Sequence, residues 1–429
     1  MLINKYSYMT EDSNGTRRHF YYEPGKGINC ITKDNDAKES SPYNLAGDGT
    51  DDFSADIEGE YIYMLYKDTD NKINLMIWNG STWSKSPLMK KPITGSVKDI
   101  NILVDHGFIH IFYENSKDSI YYLVHHFWNR NKWTSSVIVK SNNNLSFHFV
   151  KGPSGPNGIY GEGEKLMYMS FRHTPGIWSK PVVISNIDDS RDFFIASDSK
   201  NNSTHIIYSA GDKLHYVRKT SGNWPSNDEQ DIVLFPEYAQ YPGIVCISEN
   251  LWATWYCGGF IYTCLSADSG ETWSQPFKIS SEIDTLSHCC FISLKKFGAD
   301  HVHAFYHTKN PYYLILIDDI FDPHSSGFSY FTIYINQIQQ YIDQLSGKLR
   351  EQKNINKEFI LNMRNLDTSY KNLSTQYSLL KNSYSNILEE ISDLKSENEN
   401  IKSENAVLTE KLDKANGSLI KKLFSRVYS

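Results

Sequence analysis

Tryptophan recurs at nearly constant spacing through the first three quarters of this 429-residue chain. The intervals are 50, 45, 46 and 49 residues, and four of the five tryptophans precede serine or threonine. These residues are Trp83, Trp133, Trp178, Trp224 and Trp273. The flanking phrases STWSKSP, GIWSKPVVIS and ETWSQPFKIS recur with them. A period of about 40 to 50 residues built from short strands indicates propeller blades, because one small sheet cannot bury both of its faces alone.

Each repeat divides into four short strands separated by turn residues. One copy reads KDINILVD, GFIHIFYE, SIYYLVHHF and KWTSSVIVK. The same plan is followed by residues 51–97, 143–189, 190–238, 239–285 and, without tryptophan, 286–332. The first fifty residues add a divergent unit through YSYMT, RRHFYYE and INCITKD. We therefore predict an all-β propeller over residues 1–332, with seven blades favoured, or six if both ends share one blade.

Composition agrees with this fold and excludes one class of partner. Aromatic residues make up 14% of the chain, including 29 Tyr and 21 Phe, which suits the wedges between blades. The net charge of −7 is spread along the chain, so no phosphate-neutralising surface is expected and nucleic acid is excluded as a partner.

The sequence also carries expectations about location. MLINKYSYMTEDSN has no basic start followed by an apolar run, and no segment is apolar for long enough to span a bilayer. The expected location is cytoplasmic, with assembly on a spore, phage or cell envelope without a signal peptide as the alternative. Six cysteines are too few and too clustered for a disulfide framework, so we expect reduced thiols.

One repeat contains a more specific turn. Its residues are Ser266, Asp268, Gly270, Thr272 and Trp273 in the pattern S-x-D-x-G-x-T-W. This pattern resembles the Asp box of sialidase-like (BNR-repeat) β-propellers, and the resemblance covers residues 1–332 as architecture. We expect a structural role, in which the carboxylate accepts backbone N–H groups, glycine adopts positive φ and tryptophan packs between blades. In the first tryptophan repeat, Trp78 stands where the Asp would be.

The resemblance also makes glycoside hydrolysis a hypothesis to test. Sialidase-like enzymes hold an anionic sugar with three arginines on the face opposite the Asp boxes, beside a Tyr/Glu nucleophile pair and an Asp acid. The arginines of the propeller are Arg17, Arg18, Arg130, Arg172, Arg191 and Arg218. Only Arg191 is expected in a loop of that face, and no F/Y-R-I-P phrase is present. A non-catalytic role is therefore favoured, and a sialidase-like glycoside hydrolase on an oligomerising stalk is the alternative.

The loops between second and third strands, and those between blades, form the candidate ligand face. Carboxylates expected there are Glu114, Asp118, Glu162, Glu164, Asp188, Asp189 and Asp192. Because carbohydrate recognition uses aromatic platforms and planar polar groups, we predict a glycan or protein ligand held by Glu114, Tyr160, Glu162, Asp189, Arg191 and Tyr238. No catalytic residue is assigned. His288, Cys289, Cys290, His301, His303 and His307 fit no zinc spacing, so no metal or cofactor is expected.

The last quarter of the chain has a seven-residue period. With a-positions counted from Ile335, ten of eleven d-positions from Ile338 to Leu408 are apolar, which predicts a coiled coil over residues 333–416. Asn356, Asn398 and Asn405 occupy a-positions, a pattern that favours a parallel homodimer. Tyrosines at three other a-positions leave a higher oligomer open: Tyr370, Tyr377 and Tyr384.

A basic tail, residues 417–429, follows the heptads. Its sequence SLIKKLFSRVYS is amphipathic, so it is interpreted either as an element that docks on a membrane surface or assembly, or as the frayed end of the coil. The complete hypothesis is a multivalent, non-catalytic binding or structural protein that presents paired propeller heads on a stalk.

Overall fold

The computed structural model of the protein describes residues 7–34, 39–89, 93–186, 192–198, 203–219, 232–247, 250–279, 286–296, 300–307, 310–318 and 329–427. The chain divides into two compact units, residues 1–338 and 339–429. The first is mostly β-structure, and the described part of the second consists of residues 339–427 of one 99-residue helix, α1 (Ser329–Val427). No described helix contains an apolar stretch long enough to cross a bilayer.

Successive antiparallel strands follow the predicted repeats. The first repeat contains β1 (Ser7–Glu11), β2 (Arg17–Glu23), β3 (Gly27–Lys33) and β4 (Tyr43–Ala46). The second contains β5 (Gly49–Glu58), β6 (Tyr61–Asp68), β7 (Ile73–Trp78) and β8 (Trp83–Pro87). The third contains β9 (Ser96–Asp105), β10 (Phe108–Lys117), β11 (Ile120–Trp128) and β12 (Trp133–Ser141). The fourth contains β13 (Ser146–Val150), β14 (Asn157–Glu162), β15 (Lys165–Arg172), β16 (Ile177–Trp178) and β17 (Val182–Asn186).

The remaining repeats are shorter where described. The fifth contains β18 (Phe193–Asp198), β19 (Ser203–Ala210), β20 (Lys213–Lys219) and β21 (Ile232–Phe235). The sixth contains β22 (Gln240–Ile247), β23 (Asn250–Cys257), β24 (Phe260–Ser266) and β25 (Phe277–Lys278). The seventh contains β26 (Leu286–Ser293), β27 (His301–His307) and β28 (Asn310–Ile315). Trp224 lies outside the described residues.

The strands of the described residues form six sheets. Repeats two to six each form one sheet, whereas repeats one and seven share a seven-stranded sheet. The shared sheet arises because β1 and β26 pair in parallel, with Tyr8 opposite Cys290. Seven repeats are therefore carried by six sheets, and the number of blades stays a prediction.

The innermost strands of the sheets surround a common axis. β1 contacts β5, and contacts continue in order through β9, β13, β18 and β22. The ring closes because β22 contacts β27, whose neighbour β26 pairs with β1. Sheets that follow one another around an axis in this way form a β-propeller.

The hydrophobic core lies in wedges between neighbouring sheets. Phe112 of the third repeat packs with Phe149 of the fourth, and Ile207 of the fifth shares a cluster with Trp255 of the sixth. The rings of Phe112 and Phe149 are stacked with centroids 3.9 Å apart. The high aromatic content of the sequence therefore fills the spaces between sheets, as expected.

Polar side chains of one sheet form hydrogen bonds with the innermost edge strand of the next sheet. Alternate residues of β5 point toward β9 and accept its backbone N–H groups. The pairs are Ile100 to Asp52 at 3.0 Å, Ile102 to Ser54 at 3.2 Å and Val104 to Asp56 at 2.6 Å. Because an inner strand has no ladder partner on that side, these acceptors satisfy buried N–H groups that would otherwise lack a partner.

The turn between β24 and β25 depends on one carboxylate. Asp268 Oδ1 accepts the backbone N–H of Thr272 at 2.8 Å, and its Oδ2 accepts the Thr272 hydroxyl at 2.6 Å. Gly270 has φ of 90°, and a Cβ there would lie 1.8 Å from the hydroxyl of Tyr216. The Ser266 hydroxyl accepts the N–H of Gly270, and Trp273 packs edge-on against Tyr216. The motif is thus a packed turn.

The second and third repeats contain a shorter version of this turn, between β7 and β8 and between β11 and β12. Asn79 Oδ1 accepts the N–H of Thr82 at 2.8 Å, and Asn129 Oδ1 accepts that of Lys132 at 2.9 Å. Each asparagine lies next to a cross-strand tryptophan pair, Trp78 with Trp83 and Trp128 with Trp133. The role of the missing Asp is therefore taken by an asparagine one position later than the motif alignment predicts.

Helix α1 runs through Gly417 without interruption, so the basic tail as far as Val427 belongs to the same helix. In this single chain the apolar d-positions face solvent: Phe359, Leu366 and Leu380 are 64%, 65% and 69% exposed. Pairing of these residues in a coiled coil stays a prediction.

Candidate functional site

A pocket of about 290 Å³ lies on the axis of the ring, where β13, β18 and β22 begin. We call it the axial pocket. It is on the face that receives the connections between repeats, which is the predicted ligand face. The described residues that line it are Ser7, Tyr8, Asp99, Ile100, Asn101, Asn144, Leu145, Ser146, Phe147, His148, Asp192, Phe193, Tyr241, Pro242, His288, Cys290, His301 and His303.

Three histidines form one side of the axial pocket. The ring of His303 lies 5.9 Å from that of His148 and 6.2 Å from that of His288. Burial, and secondarily the neighbouring imidazoles, lower the pKa of His288 to about 3 and of His303 to about 4, and hold the pKa of His148 well below its usual value. The three rings are therefore neutral at pH 7.

Several polar atoms of the pocket wall have no hydrogen-bond partner among the described residues. They are Nδ1 of His148, His288 and His303, and Oδ1 of Asn101. Aromatic rings lie beside them, and the Tyr241 ring centroid is 4.3 Å from that of His288. Buried polar groups in native proteins nearly always have partners, so these atoms indicate a place for a ligand or ordered water.

A charged cluster lies next to the pocket, around His301. Lys151 Nζ and His301 Nε2 lie 3.1 Å and 3.2 Å from the same oxygen, Oδ1 of Asp56. Burial alone would raise the pKa of Asp56, but Lys151 and His301 outweigh it and the pKa is lowered. The positive charge of Lys151 is thus neutralised within the ring.

Two of the predicted ligand residues do not line the pocket but form hydrogen bonds with residues that do. Glu114 lies in β10, fully buried at 0% exposed, and its Oε2 accepts the N–H of Leu145 at 2.6 Å. Lys98 lies 3.2 Å from Glu114 Oε1 and donates to Asn144 Oδ1 at 2.7 Å. Tyr238, which is 42% exposed, donates its hydroxyl to Asp192. Glu114 therefore positions the segment Asn144–Leu145, and Tyr238 positions Asp192.

The loop placement of Glu114 and Tyr160 was wrong. Both lie within strands, and Tyr160 is only 2% exposed and packs against Phe149 and Leu145 in the core. Glu162 ends β14 and is half-buried without lining the pocket. Asp189 and Arg191 lie outside the described residues. Strand alternation explains the error, since Tyr160 points inward although it lies close to a turn.

Four of the described propeller arginines have partners away from the axial pocket. Arg17 pairs with Asp318, Arg18 with Asp12 and Arg218 with Glu271. Arg130 lies over the ring of Phe108. No arginine or lysine lines the described part of the pocket, so the arginine clamp of the sialidase resemblance is not seen there.

Within the described ranges, no group of three or more His, Cys, Asp or Glu residues is arranged to hold a metal ion. His288, His301 and His303, which the sequence brought together as possible ligands, instead belong to the pocket wall and its adjoining cluster. His148, Asn101 and Tyr241 were not predicted. His148 and Tyr241 lie near the starts of β13 and β22, and Asn101 lies in the middle of β9. The signal available for them was a polar or aromatic residue on an innermost strand.

No protein-family model matches the chain, and no curated protein sequence matches it significantly. Among solved structures, a fungal lectin from Aleuria aurantia with a six-bladed β-propeller and fucose recognition is 16% identical, with TM-score 0.43 over 62% of this chain and 92% of that one. An ulvan lyase of a polysaccharide lyase family is 14% identical, with TM-score 0.47 over 69% and 90%. The SapL1 lectin, solved with α-methyl fucoside, is 12% identical, with TM-score 0.41 over 65% and 96%. The propeller assignment itself rests on the ring of strand contacts.

Proposed function

We propose that this protein is a non-catalytic glycan-binding protein, with the axial pocket as its binding site and the helix as the means of presenting more than one head. The observation that carries the proposal is the set of unpartnered polar atoms beside aromatic rings in a pocket of about 290 Å³. Ligand pockets commonly combine apolar and aromatic walls with a few convergent polar groups, and their volumes begin at about 300 Å³.

Multivalency is the second part of the proposal. The apolar seam of α1 is exposed in the single chain, and covering it by a second copy would remove a long apolar stripe from water. A parallel dimer would then present two pockets, and two linked sites raise the apparent affinity for a repeated ligand. Docking by the basic end of the helix and display on a spore, phage or cell surface stay predictions.

Glycoside hydrolysis is the second candidate, and one observation favours it. Asp99 and Asp192 both line the axial pocket, and glycosidases commonly act through a pair of carboxylates. In this second candidate function, one of the two aspartates would be the general acid and the other the nucleophile or general base. The binding proposal is favoured because Asp192 already accepts the hydroxyl of Tyr238, which marks it as a positioned acceptor.

The two candidates are separated by one set of measurements on the full chain. We expect binding on a glycan array, no turnover of chromogenic glycosides, and weaker binding after Asn101→Ala. The matched control is Asn142→Ala, an exposed residue that does not line the pocket. Turnover that disappears in both Asp99→Asn and Asp192→Asn would establish the hydrolase instead.

A further inference from the structure

Apart from His301, which lies 3.2 Å from Asp56, the charged side chains that line the described part of the axial pocket are negative. They are Asp99 and Asp192. Two cations of the described residues near the wall already have partners: Lys98 with Glu114 and Asn144, and Lys151 with Asp56. Proteins hold carboxylate and sulfate groups with arginine or lysine, and here such a group would meet two carboxylates instead.

Apart from His301, which lies against Asp56, the other titratable groups of the pocket are neutral. Burial lowers the pKa of His148, His288 and His303, as described above, and raises the pKa of Tyr8 and of Cys290. Neutral histidine carries one N–H donor and one acceptor nitrogen, and which nitrogen holds the proton is free to change. The unpartnered Nδ1 atoms of His148 and His288 can therefore each donate or accept, according to what the ligand offers, whereas the ring of His303 already hydrogen-bonds the backbone of Pro242 and offers Nδ1 as an acceptor.

A hydroxyl group matches this wall better than a charged group does. A hydroxyl both donates and accepts, so it pairs with either tautomer of a histidine, with Oδ1 of Asn101 and with a carboxylate. A ligand carboxylate only accepts, and an ammonium only donates. The rings of Phe147, Phe193 and Tyr241 complete the lining with apolar surface suited to the carbon–hydrogen face of a sugar ring.

We infer that the axial pocket binds a single uncharged sugar unit, whose hydroxyl groups hydrogen-bond to His148, His288, His303 and Asn101. The volume of about 290 Å³ lies at the lower end for ligand pockets, about 300 to 1,000 Å³, which favours one ring over an oligosaccharide. This inference rests on the proposed glycan-binding function and narrows its ligand class.

Isothermal titration of the full chain with matched methyl glycosides tests the inference. The pairs are glucose with glucuronic acid, galactose with galacturonic acid, and N-acetylglucosamine with glucosamine. We expect at least one neutral glycoside to bind at one site per chain, at least tenfold more tightly than its charged counterpart. Protonation of the three histidines should not change the affinity between pH 8 and pH 5.5, because they do not titrate in that range. The titrations are done at pH 8, because burial raises the pKa of Asp300, next to His301 in the chain, to about 7.

Variants locate the site. His288→Leu should weaken binding of the neutral glycoside at least tenfold, and Asn101→Ala severalfold, while His106→Leu, at an exposed turn residue, should bind like the natural chain. Thermal unfolding of each variant checks the fold. Unchanged binding in both pocket variants would overturn the inference.

Two further outcomes distinguish this inference from the proposed function. A charged glycoside that binds as tightly as its neutral partner overturns the inference and leaves glycan binding intact; loss of that binding in Arg191→Ala would identify the cation responsible. Absence of binding by every glycoside and on the glycan array overturns both.

Discussion

Trp178 sets the proton positions of three histidines between the third and fourth repeats. Its indole N–H donates to Nδ1 of His125 at 3.1 Å, and that nitrogen must therefore be an acceptor. His125 then donates through Nε2 to Nδ1 of His110 at 3.0 Å, and His110 donates through Nε2 to His173 at 3.0 Å. Each ring is held as one neutral tautomer within a stack of phenylalanines.

This chain of imidazoles predicts how stability depends on pH. Burial, followed by neighbouring imidazoles, lowers the pKa of His125 to about 3 and the pKa of His110 well below its usual value. The unfolded chain, with histidine near pKa 6.5, binds protons first, so stability is complete above about pH 6.5 and declines as pH falls toward 3. Each such histidine contributes up to about 1.4 kcal/mol per pH unit.

Urea unfolding at pH 7, 6 and 5 measures this dependence. All nine tryptophans lie in residues 1–332, so their fluorescence reports the propeller alone. We expect His125→Phe to reduce the slope of unfolding free energy against pH by the contribution of about one histidine. The control His106→Gln replaces a side chain that is 85% exposed and should leave the slope unchanged. An unaltered slope in His125→Phe would contradict the inference that His125 is held neutral in the folded protein.

At the scale of elements, the heptads of α1 are the strongest pattern in the sequence, but they say the least about tertiary contacts. The pattern predicts which side chains share a seam, because helical geometry places a and d residues on one face. It does not show what covers that face, since one chain leaves Tyr370 and Leu373 exposed at 70% and 64%. The asparagines at a-positions, which a coiled coil would bury, are the part of the pattern that specifies a partner.

Asn398 and Asn405 should therefore determine the oligomer. We expect sedimentation of the full chain to give a dimer, and the double variant Asn398→Val, Asn405→Val to give mixed or higher oligomers, because paired asparagines favour two strands at some loss of stability. The control is Asn382→Val with Asn400→Val, at f and c positions away from the seam. A trimer or tetramer of the natural chain would refute the parallel dimer.

At the scale of the whole molecule, a buried ionic network joins the first and last repeats. Arg17 of β2 donates through two nitrogens to Asp318, at 2.6 and 2.8 Å, and through Nε to Glu11 at 3.0 Å. Lys296 lies 2.7 Å from Asp318. Burial alone would raise the pKa of Asp318, but Arg17 and Lys296 lower it, and this network supplements the parallel pairing of β1 and β26.

Breaking this network should open the ring at its closure. We expect Asp318→Ala to lower the unfolding free energy by about 3–5 kcal/mol, because it leaves two buried cations, Arg17 and Lys296, to share the single carboxylate of Glu11. Asp48→Asn removes an exposed pair with Lys85 and should change it by less than about 1 kcal/mol. Equal effects in tryptophan-monitored unfolding would show that the network does not hold the closure together.

Much of the fold could be predicted because its signals are local. The strands of the third repeat were predicted almost residue for residue, since alternation and turn residues act over a few positions. Prediction failed for Tyr160 and Glu114, whose direction depends on the packing of neighbouring sheets. It also missed His148 as a neighbour of His303, because the two are 155 residues apart in the chain.

The sequence by itself determined the repeat, the strand plan and the heptad helix, because each follows from a period that is visible along the chain. Only the tertiary structure decided that β1 and β26 share a sheet and that His148, His288 and His303 meet around one pocket. The physical reason is that the ring brings distant strands to a common axis, where burial keeps the histidines neutral and their Nδ1 atoms have no hydrogen-bond partner among the described residues.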